Sequence, residues 1–429
     1  MTALANILDL TLKPDSGRTV LRPFMLGDPD GYAVQNHPRI QRIADRVMTL
    51  DDAALRAKLT AMVDTLSERH RGVDSFLQSR FDELEGLGDI TREKIGDECA
   101  MLIAAYLSEE FSFESAALFN PSIVAHPDPS KVEGDTRFIL TLRGIGEGHV
   151  SSLTFRTGLW AADGSVSVDE SSKVAVPPTI GDVTEADGVR TVQLDCGGSR
   201  EVSESVIFPL RPSQGKGIED VRLCAFTEDD GTIDYRGTFT SFNGSEVRQT
   251  LLRTPDFKAF TMHSVAGPLS PSKGAALFPR RIGGKYWALG RQDNENLWLF
   301  STDDDRRWEG GQRLLTPRFD WEAVQIGNCG SPIELPEGWL VLTHGVGMIR
   351  NYCIGACLLD KNDPSKVLAR LPDPLLEPTA CQRDGYVPNV VYSCGALLRG
   401  RDLLLPYGVA DTYTAFATVE IDPLLAAMQ

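Results

Sequence analysis

Beyond Phe111 the chain is written in short strand-like runs, and few architectures accept so many of them. TRFILTLRG, SSLTFRTGLW, VRLCAFT, TIDYRGTFTSF, YWALGR, NLWLFST, GWLVLTH, NYCIGACLLD and DLLLPYG are separated by Gly, Pro, Asp and Asn. Branched and aromatic side chains suit a pleated surface, and the intervening residues suit turns. Many short strands of this kind predict a mainly β fold, as a propeller, a sandwich or a barrel, rather than alternating parallel strands and helices. Residues 112–422 have the length for a propeller, because roughly 310 residues divide into five blades of about 60.

The texture before Phe111 is different. From about residue 34 to 112, RIQRIADRVMTL, ALRAKLTAMVDTLSERH, VDSFLQSRFDELEGL and EKIGDECAMLIAAYLSEEF carry apolar residues three and four apart. Asp51 and Asp52 are suited to a helix N-cap and first turn. The expected organisation is an N-terminal extension with a module of about three helices over 1–111, a β domain over 112–422 and a tail over 423–429.

Composition narrows the class of function. Hydrophobic residues at 42% and charged residues at 24% describe a globular chain rather than a disordered one. A formal net charge of -17 is unlike a nucleic-acid-binding surface, which needs a basic footprint, although a few cations in one cleft can still hold a phosphate. The opening MTALANILDLTLKPDSGR lacks the pattern of a secretory signal, and the chain has no membrane-length apolar run, so a cytoplasmic location with no membrane partner is expected. The eight cysteines contain no CxxC pair and read as reduced, mostly buried thiols. The six histidines form no compact ligand pattern, which predicts no metal.

Polar groups set among apolar runs at strand ends are the candidates for chemistry. Glu219 and Asp220 stand in GKGIEDVRLCAF. Arg143, Glu147, His149 and Arg156 stand in LRGIGEGHVSSLTFRTG, Arg291 follows KYWALG, His344 ends WLVLTH and Asp360 ends CIGACLLD. A radial arrangement of strands brings such ends to one cleft.

These residues sit in phrases that resemble glycoside hydrolase family 130, the mannoside phosphorylases and mannosidases, and within it the members with an extra N-terminal helical region. The resemblance is carried in order by Asn120 and Pro121 in LFNPSIV, Arg143 in FILTLRG, GIEDVRL around Asp220, RQTLLRTPDF and KGAALFPRRIGGKY from Lys273. It continues with SPIELPEGWLVLTHGV, GACLLDKNDPSKVLARLPDPLLEP, GYVPNVVYSCGAL and YGVADTYTAFA. It implies a five-bladed β-propeller and cleavage with inversion. In the phosphorolytic members inorganic phosphate attacks a β-mannoside, giving α-mannose 1-phosphate and a released acceptor sugar. It further implies Asp220 as proton donor, acting through the mannosyl 3-hydroxyl, and Lys273, Arg291 and His344 as a phosphate cradle. Asn120, Arg143, Glu147, His149 and Asp360 fall to the sugar. No cofactor is implied beyond phosphate as co-substrate, and a homo-oligomer is compatible with the resemblance.

The residues agree with this chemistry in outline, since a glycosidic leaving group needs a proton and phosphate, already an anion, needs positioning by cations rather than a base. Three departures stand out: Val221 follows Asp220 where relatives often have Pro, Gly290 precedes Arg291 where many have His, and GEGHVSSLTFRTG is richer in Glu, His and Arg than the corresponding strand of the more familiar members. Two alternatives remain open at this level. One is a mannosidase with Glu147 activating water. The other is a glycan-binding protein using Trp287, Trp298 and Trp308. Mannose or glucose is the expected acceptor, ahead of the bulkier N-acetylglucosamine.

Overall fold

The computed structural model describes residues 4–24, 26–28, 38–87, 89–209, 217–242 and 247–429. It divides into two compact units, Gly17–Ser112 with Lys173–Val176, and the remainder of the chain.

The smaller unit carries helices at Arg39–Met48, Asp52–Ser67, Val73–Leu84, Arg92–Ile95 and Asp97–Tyr106. Residues 34–37, read above as the start of the helical stretch, lie outside the described residues. Asp51 is an N-cap, its Oδ1 accepting from the Ala54 amide at 2.8 Å, with Asp52 in the first turn as its type predicts. The helices are more finely divided than the three stretches expected. The Asp51 cap starts a new helix soon after Met48, and Gly96, at φ 78°, separates Arg92–Ile95 from Asp97–Tyr106. Their apolar faces meet around Val47, Leu55, Leu77, Phe81 and Ile103. Strands Thr19–Pro23 and Ser108–Ser112 pair within this unit, with Val20 opposite Phe111.

The larger unit is built from antiparallel strands. One sheet runs Ala5–Leu12, Tyr413–Glu420, Asp402–Val409 and Val391–Tyr392, with Leu397–Arg399 also on Asp402–Val409. A second, large sheet contains Ala117–Ala125, Thr136–Ile145 and Ser151–Trp160 on one side. On the other are Gly217–Thr227, Ile233–Phe242, Val247–Thr254 and Ala259–Ser264. Among the described residues the two halves are paired through one parallel bridge, Gly217 with Ser151. A third sheet spans Lys273–Leu277 to Gln312–Leu315, and a fourth Gln325–Asn328 to Val367–Arg370.

Apolar cores join these sheets in sequence. Leu118, Phe138, Leu404 and Phe416 join the first sheet to the first half of the second, and Phe155, Leu223 and Phe239 join the two halves. Phe226, Leu277 and Phe300 continue to the third sheet, and Leu289, Leu299, Trp339 and Val341 to the fourth. Leu342, Ile354, Leu405 and Tyr407 lead from the fourth back to the first.

The chain ends differ from the expected boundaries. Residues 1–16, read with the N-terminal extension, belong to the strand-rich unit, because Ala5–Leu12 pairs with Tyr413–Glu420 in the register Ala5 to Val419 and Leu12 to Thr414. Residues 423–429, read as a tail, continue the helix Ile421–Ala427, whose Leu424 is fully buried beside Val419 and Leu403. Among the described residues no helix is long and apolar enough to cross a membrane.

Candidate active site

Two backbone irregularities bring the first group of side chains together. The pairing of Ala117–Ala125 with Thr136–Ile145 shifts register between Phe119 and Ser122, and that of Gly217–Thr227 with Ile233–Phe242 shifts between Glu219 and Arg222. Asn120 and Asp220 occupy these bulges with φ of 49° and 52°, a left-handed conformation that Asn and Asp tolerate better than other side chains. A bulge turns its side chain out of the strand's alternation, and here the two meet: Asn120 Nδ2 donates to Asp220 Oδ1 at 2.8 Å. Arg143, on Thr136–Ile145 next to the Asn120 strand, reaches Asp220 Oδ1 at 3.5 Å and donates to Glu219 Oε1 at 2.9 Å. Lys273 Nζ approaches Glu219 Oε2 at 3.4 Å.

Arg222 supports the Asp220 bulge from beneath. It is fully buried, and it donates to the Asp220 carbonyl at 2.8 Å, the Cys329 carbonyl at 2.8 Å and the Tyr392 hydroxyl at 2.5 Å. Burial pushes the Asp220 carboxyl up, but the charges of Arg143, Arg222 and Arg291 and the Asn120 hydrogen bond outweigh it and hold Asp220 below the usual carboxylate value. Asp411 behaves oppositely. Burial and the charge of Asp220 raise it to about 6 against the pull of Arg143 and Arg350. It lies in the turn between Asp402–Val409 and Tyr413–Glu420, where Ala410 and Asp411 take φ of 49° and 51°. Non-glycine residues in that region cost about 1 to 3 kcal/mol each.

A second group lies on the third and fourth sheets. Arg291 is opposite Lys273 in register, and His344 is opposite Gly327. Arg291 Nη1 is 3.2 Å from His344 Nε2, and His344 Nδ1 is 3.1 Å from the Asn328 carbonyl. The Tyr352 ring stacks on His344 with centroids 6.0 Å apart, and the Tyr392 ring meets it edge-on at 5.0 Å. Burial, then the charges of Arg291 and Arg222, hold the imidazole well below its ordinary value, so it is neutral.

Three expected residues stand apart from these contacts. Glu147 and His149 are exposed on the short turn Glu147–His149, where His149 stacks against Tyr386 with centroids 5.5 Å apart. Asp360 is a turn cap, its Oδ1 accepting from the Asn362 and Asp363 amides at 2.9 Å each. Its place in Tyr352–Leu359 explains this. His344 pairs with Ile354 near the start of that strand, and Asp360 follows its end, about 20 Å further on at the rise of an extended chain. Arg156 is also structural, fully buried and ion-paired to Glu114.

Sequence reasoning missed Arg222, Asn328, Tyr392 and Asp411. Arg222 had a visible signal, a lone Arg inside the apolar run VRLCAF, since such a residue is buried only with partners. Asp411 lies in the phrase YGVADTYTAFA but carries no ligand spacing of its own.

The family model described as β-1,4-mannooligosaccharide phosphorylase matches residues 199–429. The chain belongs to glycoside hydrolase family 130. It is 33% identical over 247 residues to a β-1,2-mannobiose phosphorylase of Thermoanaerobacter sp. (strain X514), covering 56% of this chain and 77% of that protein. It is likewise 33% identical over 231 residues to a β-1,2-mannobiose phosphorylase of Listeria innocua serovar 6a, covering 52% of this chain. The match spans 63% of the Listeria protein, just under two thirds of its length. The solved structure of a Listeria innocua β-1,2-mannobiose phosphorylase bound to β-1,2-mannobiose has a similar fold, with TM-score 0.53, 23% identity, and coverage of 74% of this chain and 92% of that one. Asp220, Lys273, Arg291, His344 and Asp360 fall within the family 130 match, whereas Asn120, Arg143, Glu147 and His149 precede it.

Proposed function

We propose that the strand-rich unit is a five-bladed propeller that catalyses inverting phosphorolysis of a β-mannoside, yielding α-mannose 1-phosphate and a released acceptor sugar. The five-bladed reading is supported by the Gly217–Ser151 bridge, which among the described residues is the one pairing between the two parts of the large sheet, and by cores that lead from each sheet to the next and from the last to the first. The helical unit at 17–112 is then an addition to the catalytic domain.

The observation that carries the reaction is the pairing of one acid, Asp220, with cationic groups on two sides. Asn120 and Arg143 hold the Asp220 carboxyl on the side assigned to the mannosyl unit. Arg291, whose charge also reaches Asp220, is anchored through Nη1, which leaves Nη2 for an oxyanion beside Lys273. These cations favour the ionised form of Asp220. Phosphate offsets their field and the sugar excludes water, and both changes raise the affinity of Asp220 for the proton that the leaving oxygen requires. Asp411, half protonated near pH 6, can both donate to and accept from sugar hydroxyls.

Phosphate, already an anion, needs no base. The hydrolytic alternative assigned that task to Glu147, and Glu147 stands exposed on its turn. The names of the relatives support mannoside and phosphate as substrates, and the proposal takes mannose or glucose as acceptor with no further cofactor. The reaction is assigned to the cytoplasm, where the seven buried free cysteines stay reduced. A panel of β-mannosyl disaccharides assayed with and without inorganic phosphate tests this reading. Sugar 1-phosphate is expected only with phosphate present, and equal sugar release in its absence rejects phosphorolysis.

A further inference from the structure

We infer that His344 is a positioning residue for Arg291, and that it fixes the guanidinium through an unprotonated Nε2 instead of binding phosphate itself. This rests on the phosphorolysis reading for the ligand of Arg291, but its geometric basis is separate.

The two side chains lie on glycine floors. A Cβ at Gly274 would stand 2.6 Å from Arg291 Nε, and one at Gly327 would stand 2.4 Å from His344 Cε1 and 2.5 Å from Arg291 Cδ. Neither position accepts a larger residue while Arg291 and His344 keep these places. Asn328 closes the arrangement. Its Nδ2 donates to the Gly274 carbonyl at 2.9 Å, and its own carbonyl faces His344 Nδ1 at 3.1 Å. Gly274, Asn328, His344 and Arg291 therefore form a closed ring of contacts.

That ring dictates the tautomer. A carbonyl only accepts, so Nδ1 carries the hydrogen. A guanidinium only donates, so the Nε2 that faces Arg291 Nη1 offers its lone pair. An imidazole engaged in this way has no N–H left for a phosphate oxygen, and with 0% of its surface exposed it has no open edge either. The neighbouring Tyr352 and Tyr392 rings hold its plane.

The test combines spectroscopy and kinetics on the full chain. In protein labelled with 15N at histidine, the His344 signals are assigned by their loss in His344→Gln. Nδ1 should be protonated and Nε2 bare, and both should remain so after inorganic phosphate is added. His344→Leu should raise KM for phosphate about 10- to 100-fold, the factor for one hydrogen bond to a charged group, with much smaller changes in kcat and in KM for the mannoside. His344→Gln, which keeps an acceptor near Arg291, should recover most of the loss. In an Arg291→Ala background His344→Leu should add little. A protonated Nε2 in the phosphate complex, or additive effects of the two substitutions on phosphate KM, overturns the proposal. If no phosphate-dependent turnover is found, phosphorolysis fails, and the tautomer measured without phosphate still decides the positioning role. If His344→Leu does not fold, the spectra and the Gln variant decide it.

Discussion

Asp220 faces two demands that pull its proton in opposite directions. Its neighbours stabilise the carboxylate, yet its assigned task is to donate a proton, so binding of phosphate and sugar must raise its affinity for that proton. Asp220→Asn should leave the fold and phosphate binding nearly intact while lowering turnover of ordinary disaccharides by about 100-fold or more, the scale of general acid catalysis. Activity should return largely with a leaving group that needs little protonation, measured as the ratio of rates on the two substrate types. Equal losses on both would remove Asp220 from the acid role. Asp411 supports a second prediction. Its folded-state value of about 6 lies above the ordinary 3.8, so the folded protein retains a proton there that the unfolded chain releases. The contribution of Asp411 to stability therefore declines as pH rises from about 4 to 6 and is a fixed deficit above that, at most about 3 kcal/mol. Asp411→Asn should stabilise the protein at pH 7.5 and have little effect near pH 4, as read from urea unfolding at both values, while it weakens mannoside binding. Legibility at this scale followed chemistry more than position. Of the residues read from the sequence, Asn120 and Arg143 reach Asp220, and Lys273 faces Arg291 in register. Glu147, His149 and Asp360 stand apart from that group, and an acid or histidine at a strand end is equally suited to a turn. The run from Asp360 to Asp363 is an Asx turn in plain sight, since a short carboxylate readily accepts from amides two and three residues on.

At the scale of elements, the Glu219–Arg222 bulge and the Arg222 side chain form one device. The bulge turns Asp220 out of the sheet, and the buried guanidinium fixes it by holding the Asp220 carbonyl. Arg222→Leu would leave two carbonyls and the Tyr392 hydroxyl without that donor, and should destabilise the unit by about 3 to 5 kcal/mol. Denaturant unfolding measures this, and a change below about 1 kcal/mol would show that the bulge stands without Arg222. The helix cap is an independent case: Asp51→Ala should cost about 1 kcal/mol in the Asp52–Ser67 helix and leave catalysis unchanged. Helix starts could be read because capping is local chemistry. The bulges could not, since register depends on the partner strand, and the sequence of Gly217–Thr227 alone does not reveal what lies opposite it.

For the whole molecule, the strand character of residues beyond 112 was evident from composition and turn residues, whereas the role of the first residues was hidden. ANILDLTL reads as an ordinary opening, and only its pairing with Tyr413–Glu420 shows that the sheet formed late in the chain is completed from its start. Such a pairing spans nearly the full sequence and leaves no local trace. It also covers an edge that would otherwise be open to other strands. Removal of residues 1–12 should therefore lower the unfolding midpoint and promote aggregation, although it touches none of the proposed site residues, and an unchanged midpoint would show the strand to be dispensable. The central claim, that phosphate is the nucleophile at a β-mannoside, is tested most directly by following a mixture of β-mannobiose and inorganic phosphate by 31P and 1H NMR. The account predicts that inorganic phosphate disappears one for one with the appearance of α-mannose 1-phosphate as the first product. Free mannose accumulating while the phosphate signal stays constant, or a first-formed β-anomer, would contradict it.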